Sequence, residues 1–87
     1  AKIETIAEHL KKPVYALTMI NSVLWIGTHG SGLFHYDLQT NQLVNNYLHS
    51  VFNSHKVHPS IFSIKEDVES NVWLATQGGG VYRINLA

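Results

Sequence analysis

The sequence predicts an all-β protein made of four-stranded antiparallel repeats, and three observations support this prediction. The segment at residues 24–37 recurs at residues 72–85, which places Trp25 and Trp73 48 residues apart (73 minus 25). Runs of roughly six β-branched, aromatic and other apolar residues fill both copies, as is typical of short strands. Turn-forming residues separate these runs. Four strands in a repeat of about 48 residues are typical of β-propeller blades, here forming an incomplete ring.

The strands can be placed in order along both copies. In the first copy they are predicted at residues 14–19, 23–28, 32–37 and 43–48. In the second copy they are predicted at residues 61–66, 71–76 and 80–85, and we expect this copy to lack its last strand. Glycines occupy the turn between the second and third strands of each copy, where a tight hairpin requires positive φ angles.

Four segments follow from this assignment. Residues 1–12 are expected to form the outer strand of a preceding blade, although Ile3, Ile6 and Leu10 also have helical spacing. Residues 13–48 form one blade, residues 49–60 an inter-blade loop, and residues 61–87 a blade without its last strand. Two blades cannot close a ring, because propellers have about four to eight blades. Either the chain is a fragment of a longer propeller, or three or four copies assemble into one.

Composition excludes several classes of function. The 87 residues carry six basic and six acidic side chains, for a formal net charge of zero. Nucleic-acid binding requires a basic stripe that displaces counterions, and a polybasic membrane contact requires a similar excess of positive charge. The chain contains no cysteine, so disulfides and thiolate zinc sites are excluded.

The repeated positions are interpreted as structural. The tryptophans are expected to pack between blades, and Gly27 and Ala75 are expected where neighbouring sheets approach too closely for a larger side chain. The full set of these structural positions is Trp25, Gly27, Thr28, Gly30 and Gly32, then Trp73, Ala75, Thr76, Gly78 and Gly80.

The repeated motif resembles that of a known family. Residues 61–67, 71–76 and 78–83 look like the two-component regulator propeller repeat, and residues 24–34 match it less fully. The resemblance implies a sensor in the periplasmic part of a bacterial hybrid histidine kinase, anchored in the inner membrane and responding to an oligosaccharide. It carries no ligand-binding residue over to this chain. The alternative is a scaffold for protein–protein contacts or dimerisation that binds no small molecule.

Strand direction predicts which surface of such a repeat binds a ligand. The turn between the second and third strands opens on the same face as the connection to the next blade, and long loops on rigid scaffolds often carry binding residues. The candidate ligand-binding residues on this face are His29, Gln77, His49, Asn53, His55, Lys56 and His58. Uncharged hydrogen-bonding groups dominate this set, which suits a sugar or a peptide better than a phosphate. In the alternative interpretation the loop only bridges two blades.

The remaining patterns that could suggest metal binding, phosphate binding or catalysis have structural explanations. His55 and His58 have a spacing that fixes no metal geometry on a loop, so no metal and no cofactor is expected. The glycine-rich turns precede strands, whereas a phosphate loop precedes a helix. The acidic residues Glu66, Asp67 and Glu69 lie in a turn on the opposite face, where turn chemistry accounts for them. We therefore expect no catalytic residue and no enzymatic activity in this segment.

Overall fold

The computed structural model describes residues 1–6, 10–44 and 60–86, and these residues form two antiparallel sheets without a helix. The first repeat has the strands β1 (Val14–Ile20), β2 (Val23–Thr28), β3 (Leu33–Asp37) and β4 (Gln42–Val44). The second repeat has β5 (Ile61–Glu66), β6 (Asn71–Thr76) and β7 (Val81–Asn85). Each strand pairs with the next along the chain, so both sheets are simple meanders. The all-β, antiparallel prediction is confirmed.

The predicted strand boundaries differ from the observed ones by at most one residue wherever both ends are described. The fourth predicted strand, 43–48, is described only as far as residue 44, and the predicted loop 49–60 lies outside the described residues except for Ser60. The structure has no strand in residues 1–6 and 10–12. The interpretation of residues 1–12 as the outer strand of a preceding blade stays a prediction.

The two repeats share fine backbone detail that the sequence does not reveal. β1 pairs with β2 through a register shift between Val14 and Ala16, and β5 pairs with β6 through the same shift between Ile61 and Ser63. Such a shift is a β-bulge, which bends the strand and redirects one side chain. The hairpins also match. The hydroxyl of Thr28, at the end of β2, donates to the Gly32 carbonyl at 2.7 Å, and the hydroxyl of Thr76, at the end of β6, donates to the Gly80 carbonyl at the same distance.

The main hydrophobic core lies between the two sheets. The first repeat contributes one face of its sheet, and the second repeat contributes the facing side of β5–β7. The buried members of this core are Ile20, Trp25, Leu33, Ile61, Ile64, Val72, Leu74 and Ile84. A smaller cluster covers the other face of the first sheet, with Ile26, Phe34 and Tyr36 buried and Leu10, Leu24 and Leu43 packed against them. Trp73, the counterpart of Trp25, is exposed on the outer face of the second sheet.

The two sheets approach each other closely at Gly27. A Cβ added there would lie 2.9 Å from Ile61 Cγ2 and 3.0 Å from the Ile61 carbonyl oxygen. The second contact is with backbone, so it cannot be relieved by rotating a side chain, and the sheets themselves would have to separate.

We therefore expect Gly27→Val to lower the free energy of unfolding by about 1–3 kcal/mol through overpacking. The matched control is Ala75→Val at the corresponding position of β6, where we expect little change because that face of the second sheet is open. Urea titrations of both variants measure the difference. Equal effects of the two substitutions would contradict a close approach of the sheets at Gly27.

Candidate ligand-binding site

The turns after β2 and β6 lie beside the residues that lead into β1 and β5. The backbone N–H of His29 donates to the Pro13 carbonyl at 3.1 Å, and that of Gln77 donates to the Ser60 carbonyl at 3.1 Å. The same contact therefore recurs in both repeats, and it links each hairpin turn to the start of β1 or β5. One end of each sheet thus collects the hairpin turns together with the entries to β1 and β5.

The bulges bring two aromatic side chains to this end of the sheets. Tyr15 is the unpaired residue in the register shift of β1, and Phe62 is the unpaired residue in the same shift of β5. A bulged residue is released from the strict alternation of the strand, so its side chain need not point into either sheet face. Tyr15 and Phe62 remain 52% and 41% exposed, respectively, which is a large exposure for two aromatic residues in regular strands.

These two rings form a cluster with the imidazole of His29. The ring centroids are 5.2 Å apart for Tyr15 and His29, and 5.1 Å apart for Tyr15 and Phe62. The His29 and Phe62 rings are nearly parallel, with an interplanar angle of 5° and centroids 6.4 Å apart. These separations lie within the range of favourable ring pairs. Residues from both repeats therefore build one exposed aromatic surface, which we call the aromatic cluster (Tyr15, His29 and Phe62).

Polar groups at the aromatic cluster carry no formal charge when the histidine is neutral. The hydroxyl of Ser60, a buried residue, lies 3.5 Å from His29 Nδ1, and the Tyr15 side chain ends in a second hydroxyl. Ring faces with neighbouring hydroxyl and imidazole groups can pack against an apolar surface while donating and accepting hydrogen bonds. Such a surface suits a neutral polar ligand.

Two of the seven candidate ligand-binding residues lie in described parts of the chain. His29 belongs to the aromatic cluster, and Gln77 takes the corresponding position in the second repeat, where it is exposed. The other five, His49, Asn53, His55, Lys56 and His58, lie outside the described residues. Sequence reasoning missed Tyr15 and Phe62. The signal that could have found them is the aromatic residue at the second position of both β1 and β5.

The acidic turn at the opposite end is a structural element. Asp67 Oδ1 accepts hydrogen bonds from the backbone N–H groups of Glu69 and Asn71 at 2.8 and 3.0 Å, and Oδ2 accepts one from Trp73 Nε1 at 2.9 Å. The Trp73 indole, followed by the backbone N–H of Asn71, lowers the pKa of Asp67 to about 2. These bonds stabilise the ionised carboxylate, so the group holds the turn and the indole together.

Among residues 1–6, 10–44 and 60–86, no group of three or more His, Asp or Glu side chains is placed to hold a metal ion. No helix in the described part of the chain is long and apolar enough to cross a membrane. Neither a known protein-family model nor a curated protein matches the chain. The family resemblance therefore depends on the motif residues alone.

Proposed function

We propose that the chain is a ligand-binding segment of a β-propeller that serves, without enzymatic activity, as the sensor of a bacterial two-component signalling protein. The observation that carries ligand binding is the aromatic cluster, an exposed set of rings from both repeats placed where the hairpin turns open. The hybrid histidine kinase context, the periplasmic location and the inner-membrane anchor come from the resemblance of the motif.

An oligosaccharide fits the chemistry of the aromatic cluster. A sugar ring presents a C–H face that packs on aromatic rings and hydroxyl groups that exchange hydrogen bonds with imidazole and hydroxyl partners. No Lys, Arg, Asp or Glu takes part in the described ring contacts of the cluster. A phosphorylated ligand would have no Lys or Arg partner among these described contacts, so a neutral glycan is the better match to the three rings.

The first test is the thermal stability of the 87-residue chain in a panel of neutral oligosaccharides. A ligand that binds only the folded state stabilises it by about 2.7 kcal/mol at a concentration of 100 times Kd. For a domain of this size, that corresponds to a rise in Tm of roughly 10 °C or more. A scaffold that binds no small molecule would keep the same Tm throughout the panel.

The second test places the bound sugar at the aromatic cluster. We expect Tyr15→Ala and Phe62→Ala each to weaken binding of the identified sugar by about 5- to 30-fold, because each removes a ring face worth about 1–2 kcal/mol. Val68→Ala is the matched control, since Val68 is a fully exposed apolar residue at the opposite end of the second repeat. Isothermal titration calorimetry gives the three affinities. Unchanged binding by both cluster variants would rule out this site.

A further inference from the structure

The outer face of the second sheet repeats the pattern of a face that is buried in the first. In the first sheet, Trp25 pairs with Thr18 and His35, and Gly27 pairs with Leu33. In the second sheet, the register pairs Trp73 with Lys65 and Arg83, and Ala75 with Val81. Residues that are paired directly across strands point to the same side of a sheet, so these five residues share one face. We call it the Trp73 face (Lys65, Trp73, Ala75, Val81 and Arg83).

The two corresponding faces differ in what covers them. The face of Trp25 and Leu33 is packed against the second repeat, and each of these side chains is buried. On the Trp73 face, Val81 is 69% exposed although it takes the position of Leu33. The apolar center of the Trp73 face, formed by the indole, alanine and valine side chains, is thus open, whereas the corresponding face of the first sheet is covered. The open face continues an interface that the molecule already contains.

The charges on the Trp73 face indicate the chemistry of its partner. Lys65 and Arg83 flank the indole, and the Arg83 guanidinium carbon lies 5.9 Å from the centroid of the Trp73 ring. The corresponding residues of the buried face are Thr18 and His35. A partner that covers the Trp73 face must therefore supply apolar side chains at its center and a carboxylate near its edge, or two cations would be desolvated without a counter-charge.

The inner face of the second repeat has this composition. It packs against the first sheet through Ile61, Ile64, Val72, Leu74 and Ile84. Glu66 pairs with Val72 across β5 and β6, so its side chain lies on the same side, and it is exposed. A repeat of this type thus carries cations on its outer face and a carboxylate on its inner face, and it is complementary to another unit of its own kind.

A second copy of the chain fits less well. Pairing two Trp73 faces would bring Lys65 and Arg83 against their own counterparts. The free side of the first sheet exposes Leu17 and Met19. Met19 takes the position that Glu66 has in the second repeat, so this side offers no carboxylate there to Lys65 and Arg83. We propose that the Trp73 face binds a further repeat of the β5–β7 type, whose Ile, Val and Leu side chains cover Trp73 and whose glutamate at the Glu66 position faces Lys65 and Arg83. This inference rests on the repeat architecture in the proposed function and not on ligand binding.

The test uses thiol reactivity, since the chain has no cysteine of its own. An extended chain is made in which a second copy of residues 38–85 follows Asn85, and a single cysteine is introduced by Val81→Cys in the original repeat. We expect its reaction with an aromatic disulfide reagent to be at least about tenfold slower than in the 87-residue chain, because reaction then requires opening of the new interface. Val68→Cys, off the face, should react at the same rate in both chains. Leu33→Cys, already covered, should react slowly in both.

Three outcomes would overturn the proposal. One is a Val81→Cys thiol that reacts in the extended chain as fast as the Val68→Cys thiol. Another is protection in the 87-residue chain that increases with protein concentration, which would mean that a second copy occupies the face. Rapid reaction of Leu33→Cys would show that the first interface, from which the inference is drawn, is absent. Each result is independent of any sugar, so failure here is distinguishable from failure of the proposed ligand site.

The carboxylate has its own test in the same extended chain. Glu66→Lys in the appended copy should speed the reaction of the Val81→Cys thiol at least about tenfold, because it places a like charge beside Lys65 and Arg83. Glu66→Gln, which only removes the carboxylate charge, should speed the reaction less. The effect of the reversal should shrink at high salt. Identical protection in all three versions would overturn the assignment of the acidic partner.

Discussion

Trp25→Ala is expected to lower the free energy of unfolding by about 3–5 kcal/mol, the range for removing a fully buried aromatic side chain. Trp25 is 2% exposed and contributes to the core between the two sheets. A loss of this size is a large fraction of the total stability of a small domain, which is about 5–15 kcal/mol. Chemical denaturation followed by far-UV circular dichroism measures it, with the Tm as a second readout.

Trp73→Ala is the matched control for this prediction. Trp73 occupies the same strand position, but it is 40% exposed and its described contacts are the hydrogen bond to Asp67 and the Arg83 guanidinium over its ring. We expect its removal to cost about 1–2 kcal/mol, because an exposed hydrogen bond and a cation–π contact are each worth about 1 kcal/mol or less. Equal losses at the two tryptophans would contradict packing of the two sheets through the Trp25 face. In a chain with a further repeat, the cost at Trp73 should rise toward that at Trp25.

The contrast between the two tryptophans shows what could be predicted from the sequence and what could not. Strand positions follow from local chemistry, since apolar runs and turn glycines are readable one repeat at a time. Trp25 and Trp73 are equivalent at that level. Their burial differs because one faces another sheet and the other does not, and this depends on contacts between residues far apart in the chain.

The candidate site shows the same division. His29 could be placed at the correct end of the sheet, because strand direction determines on which side each turn opens. Tyr15 and Phe62 join it because a bulge releases each of them from strand alternation. An aromatic residue recurs at both positions, but this recurrence does not specify the bulge that brings the rings to His29. The aromatic cluster is therefore a product of backbone register, which becomes visible only when the paired strands are seen together.

Acidification is expected to destabilise the protein through His35. This residue lies in β3, where it pairs with Trp25, and the two ring centroids are 4.2 Å apart. Burial removes water from the imidazolium and lowers the pKa of His35 from 6.5 to about 4. In the folded state the imidazole therefore stays neutral over a pH range in which the unfolded chain, with an ordinary pKa near 6.5, binds the proton.

The sign of the pH dependence follows from this depressed pKa. Above about pH 6.5 the imidazole is neutral in both states and the full stability is present. As the pH falls from about 6.5 toward 4, the unfolded chain binds the proton and the folded state does not, so stability is lost. Below about pH 4 both states are protonated and the loss levels off, at a total of about 3 kcal/mol.

His35→Phe is the variant that isolates this effect, since phenylalanine keeps a ring beside Trp25 but does not titrate. Urea denaturation of both proteins at several pH values between 7.5 and 4, roughly the interval over which the imidazole titrates, gives two profiles of stability against pH. The difference between them should change by about 3 kcal/mol across this range, and the contributions of the other histidines cancel in the subtraction. Parallel profiles would mean that His35 takes up its proton in the folded state as readily as in the unfolded chain, which would contradict its burial against Trp25.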